Sequence, residues 1–309
     1  MSMPKTHTKL PLKSRLIHGA LCVAASLPRP VSWAMAGAIA RTLRFVGARS
    51  ARVTAENIAL CYPHLSVGEQ ALLTHESLHH TAYLLFESAK VWTWPWPRLK
   101  PLLNVAPETE ARLQAALSEG NGVVILAPHH GNWELLGRYL QQVDNLKVLY
   151  QPGQSPAFDQ LILHYRQVDG TQVLPTNRKG VMGLFKWLKQ GGLTGVLPDQ
   201  VPERDSGGDF APFFGVQAMT MTLIHNLIQR TGCKVLSGAC LRKGSAFELV
   251  LDEPHADIYS KDAQTSLAGL NKSVEQLVAK APAQYQWEYK RFRRVKPGEP
   301  RRYDYKKRK

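Results

Sequence analysis

Cysteine is scarce in this sequence, and the few cysteines form no disulfide or metal-binding pattern. They occur without a CxxC pair, at Cys22, Cys61, Cys233 and Cys240. This spacing excludes a disulfide-dense secreted domain and fits a reducing compartment, so we interpret the cysteines as packing residues. The chain also lacks a GxSxG motif, and no cysteine lies beside a plausible base, which argues against a covalent enzyme intermediate.

Acidic residues are nearly absent from both ends of the chain. Residues 1–15 carry four basic side chains and no acid, and residues 289–309 carry eleven basic residues against two acids. These ends hold +4 and +9 of a formal net charge of +15, so the body between them is almost neutral. Basic ends bind an anionic membrane, an acidic partner protein or nucleic acid, or keep a protein in solution. Because the basic C-terminus matches no RNP or zinc-finger pattern, no nucleic-acid partner is predicted.

No single apolar run is long enough to cross a bilayer. Two shorter runs, 16–28 and 31–40, follow one another across a proline pair, and each falls short of the roughly 20 residues that a spanning helix needs. Together they would span with a proline-induced break, lie as two amphipathic pieces in the interface, or form an ordinary core helix pair. We predict a membrane-associating segment at 1–45, one α/β domain at 46–295 and a basic tail at 296–309.

The middle of the chain alternates between short apolar runs and amphipathic helical patterns. This alternation predicts an α/β fold, with a mainly parallel central sheet covered by helices behind the apolar, helical N-terminal segment. A Ser66/Glu69 capping box begins one upstream helix, and Pro107 begins another. The later predicted strands are 122–127, 146–150, 171–174, 193–198, 234–241 and 246–253, and the later helices are 132–142, 157–168, 179–190, 219–231 and 263–280, with a long loop at 199–218.

The stretch "APHHGNWE" at 127–134 places two histidines directly after a predicted buried strand. Groups at the carboxyl ends of strands in open α/β sheets face the ligand crevice. Asn132 is suited to cap the next helix, so Glu134 in its first turn would come back towards His129. A carboxylate that accepts a proton from one imidazole nitrogen leaves the other nitrogen as a general base. His129, His130 and Glu134 would otherwise suit a metal, but the spacing is not HExxH and no further cluster completes a shell, so no metal or other cofactor is predicted.

These residues resemble a known family. "APHHGNWE" is similar to the His-x4-acid motif of the glycerolipid acyltransferase superfamily, and most of all to the late acyltransferases of bacterial lipid A synthesis and their lysophospholipid acyltransferase-like relatives. Further stretches resemble that family's other blocks in its order, from about residue 50 to 295: "ENIALCYPHLS" at 56–66, "NRKG" at 177–180, "LPDQ" at 197–200, "FFGVQAMTMT" at 213–222 and "YQWEYKRFR" at 285–293.

The resemblance implies a membrane-associated O-acyltransferase at the cytoplasmic face of the bacterial inner membrane. It would move a fatty acyl chain from a thioester, with acyl carrier protein as the expected donor, to a hydroxyl of a lipid A precursor. Acyl-CoA as donor, and a lysophospholipid or an ornithine-type lipid as acceptor, remain alternatives within the same chemistry. A membrane- or nucleic-acid-binding protein without catalysis is the alternative from another class.

The same resemblance implies roles for individual residues. His129 matches the general base and Glu134 its orienting acid. Arg178 matches a substrate-binding position, between Asn177 and Lys179, where a guanidinium would suit a phosphate. Asp199 and Gln200 are expected to serve site architecture, and Phe213 and Phe214 a flexible loop over the acyl chain, with core packing as the alternative. The block 285–294 is expected to lie beside the site or at the membrane, with its aromatic rings at the interface and its arginines towards lipid phosphates or the acidic carrier protein.

Overall fold

The computed structural model describes residues 11–303 except 152, 154, 169 and 204–206. Within this part, seven strands form one sheet in the order β1-β9-β8-β2-β5-β3-β4, and two form a separate hairpin, β6-β7. The strands are β1 Leu103–Asn104, β2 Val123–Leu126, β3 Leu146–Tyr150, β4 Gln172–Pro175, β5 Leu193–Val196, β6 Gly208–Phe213, β7 Val216–Met221, β8 Lys234–Lys243 and β9 Ala246–Asp252. All neighbours in the large sheet are parallel except β8 and β9, which confirms the predicted mainly parallel sheet.

Helices cover both faces of this sheet. They are α1 Leu12–Ser26, α2 Arg29–Phe45, α3 Arg49–Cys61, α4 Val67–Thr93, α5 Trp96–Leu99, α6 Pro107–Ser118, α7 Trp133–Val143, α8 Pro156–Val168, α9 Arg178–Leu188, α10 Leu223–Thr231 and α11 Ala263–Lys280. The Ser66/Glu69 capping box is present at the start of α4, where it satisfies backbone N–H groups that have no partner within the helix.

The core lies on both sides of the central strands. Every residue of β2 is fully buried, as expected for a parallel strand with helices on each face. Val123 and Ile125 pack on the α7 face, and Val124 and Leu126 pack on the opposite face with α9 and α10. Burial of each such side chain contributes about 1.5–3 kcal/mol, so these central strands anchor the sheet edge from which the following loops emerge.

The two N-terminal helices pack on the body of the protein. Helix α1 contacts α4 and α8, and α2 contacts α3 and α4. Ala36 of α2 is fully buried in a small cluster with Ala82, Tyr83 and Phe86 of α4. In residues 11–303, outside the gaps named above, no helix combines the length and apolar character that crossing a bilayer requires.

The predicted loop at 199–218 is wrong in its second half, because β6 and β7 form an antiparallel hairpin there. Its two-residue turn has positive φ at both positions, 48° at Phe214 and 74° at Gly215, the geometry that matches the twist of paired strands. Pro212 argues against a strand in the sequence, because proline is excluded from central strands. In a two-stranded ribbon both strands are edge strands, which tolerate proline. Helix α10 accordingly begins at Leu223, later than predicted.

Candidate active site

Two neighbouring parallel strands deliver the candidate catalytic residues to one edge of the sheet. Strands β2 and β5 pair in register, with Leu126 opposite Val196, and the backbone N–H of Ala127 donates to the Val196 carbonyl at 2.8 Å. The chain leaves both strands in the same direction. His129 therefore emerges beside Asp199, as the strand pattern predicted.

Two hydrogen bonds join His129 to Asp199. The ring nitrogen Nδ1 lies 2.9 Å from Asp199 Oδ1, and the His129 backbone N–H donates to Oδ2 at 2.9 Å. The Asp199 side chain is 4% exposed and that of His129 is 12% exposed. Asp199 thus fixes both the backbone position and the ring orientation of His129.

The electrostatics of this pair favour an ionised carboxylate. Burial would raise the pKa of Asp199, but the charge of His129 and the hydrogen bonds from its ring and backbone outweigh burial and hold that pKa below its ordinary value. A buried carboxylate that keeps its negative charge stabilises a positive charge on the adjacent imidazole.

The second ring nitrogen of His129 faces the exposed Gln200. Gln200 Nε2 lies 3.2 Å from His129 Nε2, and an amide nitrogen can only donate. The contacts on both sides of the ring therefore select the tautomer with its proton on Nδ1, directed at Asp199. In this tautomer Nε2 is unprotonated, which is the form a general base requires, and its lone pair accepts from the Gln200 amide.

The turn after His129 is held from two directions. Gly131 has a φ of 63°, and a Cβ there would collide with the carbonyl oxygen of Cys240 in β8. Asn132 caps α7 by accepting from the Leu135 backbone N–H at 3.0 Å. The His129 carbonyl accepts from the backbone of Gln286 at 2.9 Å, so β8, α7 and the C-terminal segment together fix the turn.

Glu134 lies in the first turn of α7, but its carboxylate makes contacts other than the predicted one. Oε1 accepts from Arg166 of α8 at 2.8 Å, and Oε2 accepts from the Trp92 indole at 3.1 Å. The predicted hydrogen bond between Glu134 and His129 is therefore wrong in this structure. Asp199, which we expected to serve only site architecture, holds the imidazole, because the neighbouring strand β5 brings it behind the ring.

The predicted substrate-binding residues of "NRKG" lie at the start of α9. Asn177 is the helix N-cap and accepts from the Gly180 backbone N–H at 3.1 Å, while Arg178 and Lys179 are exposed. Strand β4, which precedes them, ends at the same edge as β2 but three positions along the sheet. Three strand spacings amount to roughly 14 Å, so these cations share the edge with His129 without contacting it.

The two phenylalanines do not form a flexible loop over a cleft. Phe213 is 1% exposed and packs in a core cluster with Trp287 and Phe292. Phe214 is half-buried in the hairpin turn, where its backbone N–H donates to Glu275 of α11 at 2.6 Å. Core packing, the alternative for Phe213, is what the structure contains.

The C-terminal aromatic and basic block is also largely internal. Tyr285, Trp287 and Phe292 are buried, so the position of these rings at the membrane interface is wrong, whereas the alternative position beside the site is what the structure contains. Arg291 is 3% exposed and donates to Thr220 at 3.1 Å and to Asn271 at 3.3 Å, rather than facing a lipid phosphate. Asn57, from the predicted upstream block, donates to the backbone carbonyls of Trp287 and Tyr289. This block therefore packs against the site, where the Gln286 backbone N–H donates to the His129 carbonyl. The last residues of the predicted basic tail, 304–309, and residues 1–10 at the other basic end lie outside the described part of the chain.

Sequence reasoning missed the side chains that support the two acids. Arg166 and Trp92 hold Glu134, and both come from helices far away in sequence. Tyr285 is buried next to Asp199; burial, reinforced by the Asp199 charge, raises the pKa of its phenol well above the ordinary value. No local periodicity marks these residues, and the only available signal was the position of Tyr285 at the start of the block "YQWEYKRFR".

His130 and three of the four cysteines are internal residues. His130 is fully buried, and burial lowers its pKa to about 4. Among the described residues, no three His, Cys, Asp or Glu side chains come close enough to hold a metal ion together. Cys61, Cys233 and Cys240 are buried as predicted, whereas Cys22 is exposed on α1.

Comparison with known protein families identifies the family of the chain. The sequence profile described as bacterial lipid A biosynthesis acyltransferase matches residues 5–294. The chain belongs to this family. It is an acyltransferase, and the match includes α1 and α2, which lie upstream of the region where the sequence resemblance was noted.

Individual members of the family are similar to this acyltransferase along most of its length. The lipid A biosynthesis lauroyltransferase of Escherichia coli K12 is 28% identical over 92% of each chain, and the lipid A biosynthesis palmitoleoyltransferase of the same organism is 27% identical over 91% of each. The lipid A biosynthesis myristoyltransferase of that organism is 24% identical over 84% of this chain and 81% of its own. The names of these three relatives differ in the acyl group.

Proposed function

We propose that this protein is a membrane-associated O-acyltransferase of the bacterial inner membrane, acting at the cytoplasmic face. It transfers a fatty acyl chain from a thioester, carried by acyl carrier protein, to a hydroxyl of a lipid A precursor or a related glycolipid. Family membership and the names of the relatives support the reaction class and the acceptor. The observation that carries the mechanism is the hydrogen bond between His129 Nδ1 and Asp199.

In the proposed reaction, His129 is the general base. Its Nε2 removes the proton of the acceptor hydroxyl while Asp199 stabilises the imidazolium that forms. The acceptor oxygen forms a new ester bond to the thioester carbonyl carbon, the carbon–sulfur bond breaks, and the thiolate leaves and takes up the proton from Nε2. Gln200 occupies the position beside Nε2, so the acceptor hydroxyl would displace its amide.

Direct transfer, without an acyl-enzyme, agrees with the state of the cysteines. Cys61 and Cys240 are buried, and burial raises the pKa of both thiols well above the ordinary value. Burial also raises the pKa of Cys233, the third internal cysteine. A protonated, inaccessible thiol is a poor nucleophile. A thioester is already activated, so deprotonation and positioning of the alcohol are what the site must supply.

The position of Arg178 and Lys179 supports recognition of an anion on one of the substrates. Both side chains are exposed at the start of α9, on the same sheet edge as His129. A guanidinium binds phosphate through two donors at once. The phosphorylated sugar of a lipid A precursor offers such a group at a distance from the reacting hydroxyl, and so does the phosphopantetheine arm of acyl carrier protein or coenzyme A.

Membrane association is supported by apolar side chains that α1 and α2 expose. Leu12, Leu16 and Val23 recur at helical spacing on α1 and are each more than 60% exposed, and Phe45 at the end of α2 is 93% exposed. Exposed basic residues accompany them, such as Arg41 and Arg44. An apolar helical stripe with neighbouring cations is the pattern of a helix lying in the membrane interface.

The proposal is tested by supplying the purified full-length protein with acyl carrier protein thioesters and a lipid A precursor in detergent micelles. Mass spectrometry should find the acceptor heavier by one acyl group, and His129→Ala should lower the rate by about two to four orders of magnitude. Parallel reactions with acyl-CoA, a lysophospholipid and an ornithine lipid compare the alternative substrates. Absence of a mass increase with every combination, or normal turnover by folded His129→Ala, would refute the proposal.

A further inference from the structure

A cleft opens beside the candidate site on the α7 face of the sheet. It lies between α7, β5, β3 and α8, and its empty volume is about 740 Å³, including the part that is open to solvent. Trp133 and Glu134 stand at one end. The Trp133 ring contacts the His129 ring edge-on, with centroids 4.8 Å apart, so the cleft begins one side chain away from the proposed base.

Two glycines line this cleft, Gly137 in α7 and Gly195 in β5. Neither has a positive φ. A Cβ placed on either of them would meet no atom within 4 Å. By contrast, a Cβ on Gly131 or Gly180 would collide with a backbone carbonyl. Neither backbone conformation nor close packing therefore requires glycine at positions 137 and 195.

Both glycines lie where glycine lowers stability. Glycine inside a helix or a strand loses more conformational freedom on folding than alanine does, and in a strand interior it often marks a site where a ligand approaches closely. Gly137 is in the middle of α7 and Gly195 is in a central strand with neighbours on both sides. What the two glycines have in common is that each leaves open space in the same cleft.

The strand register defines that space. Gly195 is paired with Ile125 of β2 on one side and with Val148 of β3 on the other. Its neighbour Val196 packs on the opposite face with α9, whereas Ile125 and Val148 belong to the cluster on the α7 face. Since successive strand residues alternate between faces, the missing side chain of Gly195 leaves a gap in the cleft floor, between two branched residues.

Helix geometry places Gly137 above that floor. Gly137 follows Glu134 by three residues, so it lies about 4.5 Å further along the axis and on a similar side of α7. The lining of this slot is mainly apolar, with Leu140 one turn beyond and Leu146 and Val148 of β3 among its members. Its polar members are the paired Glu134 and Arg166, and the side chains of Arg138, Gln141 and Thr171. The apolar part of the slot suits an unbranched alkyl chain.

We propose that this cleft binds the acyl chain of the donor and that Gly137 and Gly195 determine which chain lengths it accepts. The inference rests on the acyl-transfer function proposed above and adds the residues that select among its substrates. A larger side chain at either position fills the slot from one wall and excludes the distal methylenes. Each methylene that loses its apolar contacts weakens binding of the chain about fourfold.

The first test measures binding without turnover. S-alkyl pantetheine thioethers of graded length cannot transfer their chains, and isothermal titration calorimetry gives their affinities for wild type, Gly137→Ala, Gly137→Leu and Gly195→Val. Affinity should rise with length in wild type, and the rise should stop at shorter chains as the introduced side chain grows. Gly68→Leu, at an exposed glycine in the first turn of α4 whose Cβ would come no closer than 4.0 Å to the Ser66 hydroxyl, is the matched control and should behave as wild type.

Loss of affinity that is equal for all lengths, or unchanged length dependence in both Gly137→Leu and Gly195→Val, would overturn the inference. Folding is monitored by the melting temperature, which Gly137→Ala should leave unchanged or raise, since alanine favours helices more than glycine does.

The second test separates donor from acceptor and inference from function. Mixed-length acyl thioesters compete for one acceptor, and mass spectrometry records the product distribution, which should move to shorter chains in the variants. The converse arm keeps one donor and varies the chains already on the acceptor. A shift only in the converse arm would overturn the assignment to the donor. If the thioethers show the graded effect but wild type transfers no acyl group, the proposed function fails while the cleft assignment stands. If wild type transfers acyl groups but the variants leave the product distribution unchanged, the cleft assignment fails while the proposed function stands.

Discussion

His129 and Asp199 are seventy residues apart in sequence, yet both Asp199 carboxylate oxygens contact His129, one at the ring and one at the backbone. The contact at the backbone matters as much as the one at Nδ1. It orients the carboxylate through a group that cannot rotate away, so the imidazole is held in one tautomer. The proposed base is therefore positioned before any substrate binds.

Asp199→Asn should lower kcat by about 10²–10⁴-fold with little change in stability. The asparagine oxygen can still accept from the His129 backbone, but its amide donates to Nδ1 and selects the opposite ring tautomer, in which Nε2 carries the proton. Steady-state kinetics and circular dichroism measure the two effects. Asp257→Asn is the matched control, because Asp257 also lies beside a histidine, 3.5 Å from His255, but at the surface. Turnover of Asp199→Asn close to wild type would show that this contact does not prepare the base.

Glu134 and Arg166 should behave as one unit in activity. Removal of either partner leaves a largely buried charge without its counterion, so Glu134→Gln and Arg166→Gln should each lower kcat/KM, and the double variant should be no worse than about the poorer single one. A double-mutant cycle on kcat/KM measures this coupling. The exposed pair Lys243 and Glu248 is the control cycle, with little effect expected. Additive losses of kcat/KM at Glu134 and Arg166 would contradict the predicted coupling between them.

Arg178→Ala should raise KM for a phosphorylated acceptor about ten- to a hundredfold, as expected for loss of a hydrogen bond to a charged group. The dephosphorylated acceptor should be affected much less, and Arg178→Lys should restore only part of the difference, because ammonium cannot bind phosphate through a planar fork. Lys186→Ala, which removes an exposed cation from the other end of α9, controls for net charge. Equal effects on both acceptors would argue against recognition of the acceptor phosphate.

Phe45→Asp combined with Met35→Asp should weaken binding to vesicles of anionic phospholipid by about tenfold or more, since each change removes a large apolar side chain from the interface. Co-sedimentation of the full-length protein measures this. Met182→Asp changes an apolar side chain of similar exposure on α9 and should leave vesicle binding near that of wild type. Unchanged sedimentation of the double variant would mean that α2 does not make the contact.

Acid should destabilise the fold well before carboxylates are neutralised. Burial and the adjacent Arg242 lower the pKa of His80 to about 3, whereas the ordinary value is 6.5; Arg242 donates to His80 Nδ1, the atom that a proton would need. The other nearby groups are His79, and Glu87, which pairs with Arg242. Below about pH 6.5, His80 binds a proton in the unfolded chain but remains neutral in the folded chain. The free energy of unfolding therefore falls as the pH falls towards about 3.

Denaturant titrations between pH 7 and pH 4 measure this slope. His80→Gln removes the titrating group but keeps an acceptor for Arg242, so its slope should be shallower than that of wild type; His130, also buried with a lowered pKa, accounts for part of what remains. The exposed His164→Gln controls for loss of a histidine as such. A slope in His80→Gln as steep as that of wild type would contradict the assignment.

Local signals in the sequence predicted most of the architecture. The apolar run at 122–127 and the alternation after it identified β2, α7, β3, α8, β4, α9 and β5, because hydrophobic periods of two and 3.6 residues are set by the neighbours in the chain. The hairpin of β6 and β7 was missed, since Pro212 and a phenylalanine in the turn oppose the usual strand and turn signals. The partner of His129 was also misassigned. Glu134 is close in sequence, but α7 carries it towards Arg166 of α8.

By itself, the sequence predicted the class of the fold and the sheet edge at which His129, the proposed base, lies, since strand ends and helix caps are marked by residues that are consecutive in the chain. Only the tertiary structure decided which acid holds the imidazole, that the aromatic C-terminal block is internal, and that two distant glycines open one cleft. Each of these depends on which strand lies beside which, and the order β8-β2-β5-β3 results from packing across the whole sheet rather than from any local pattern.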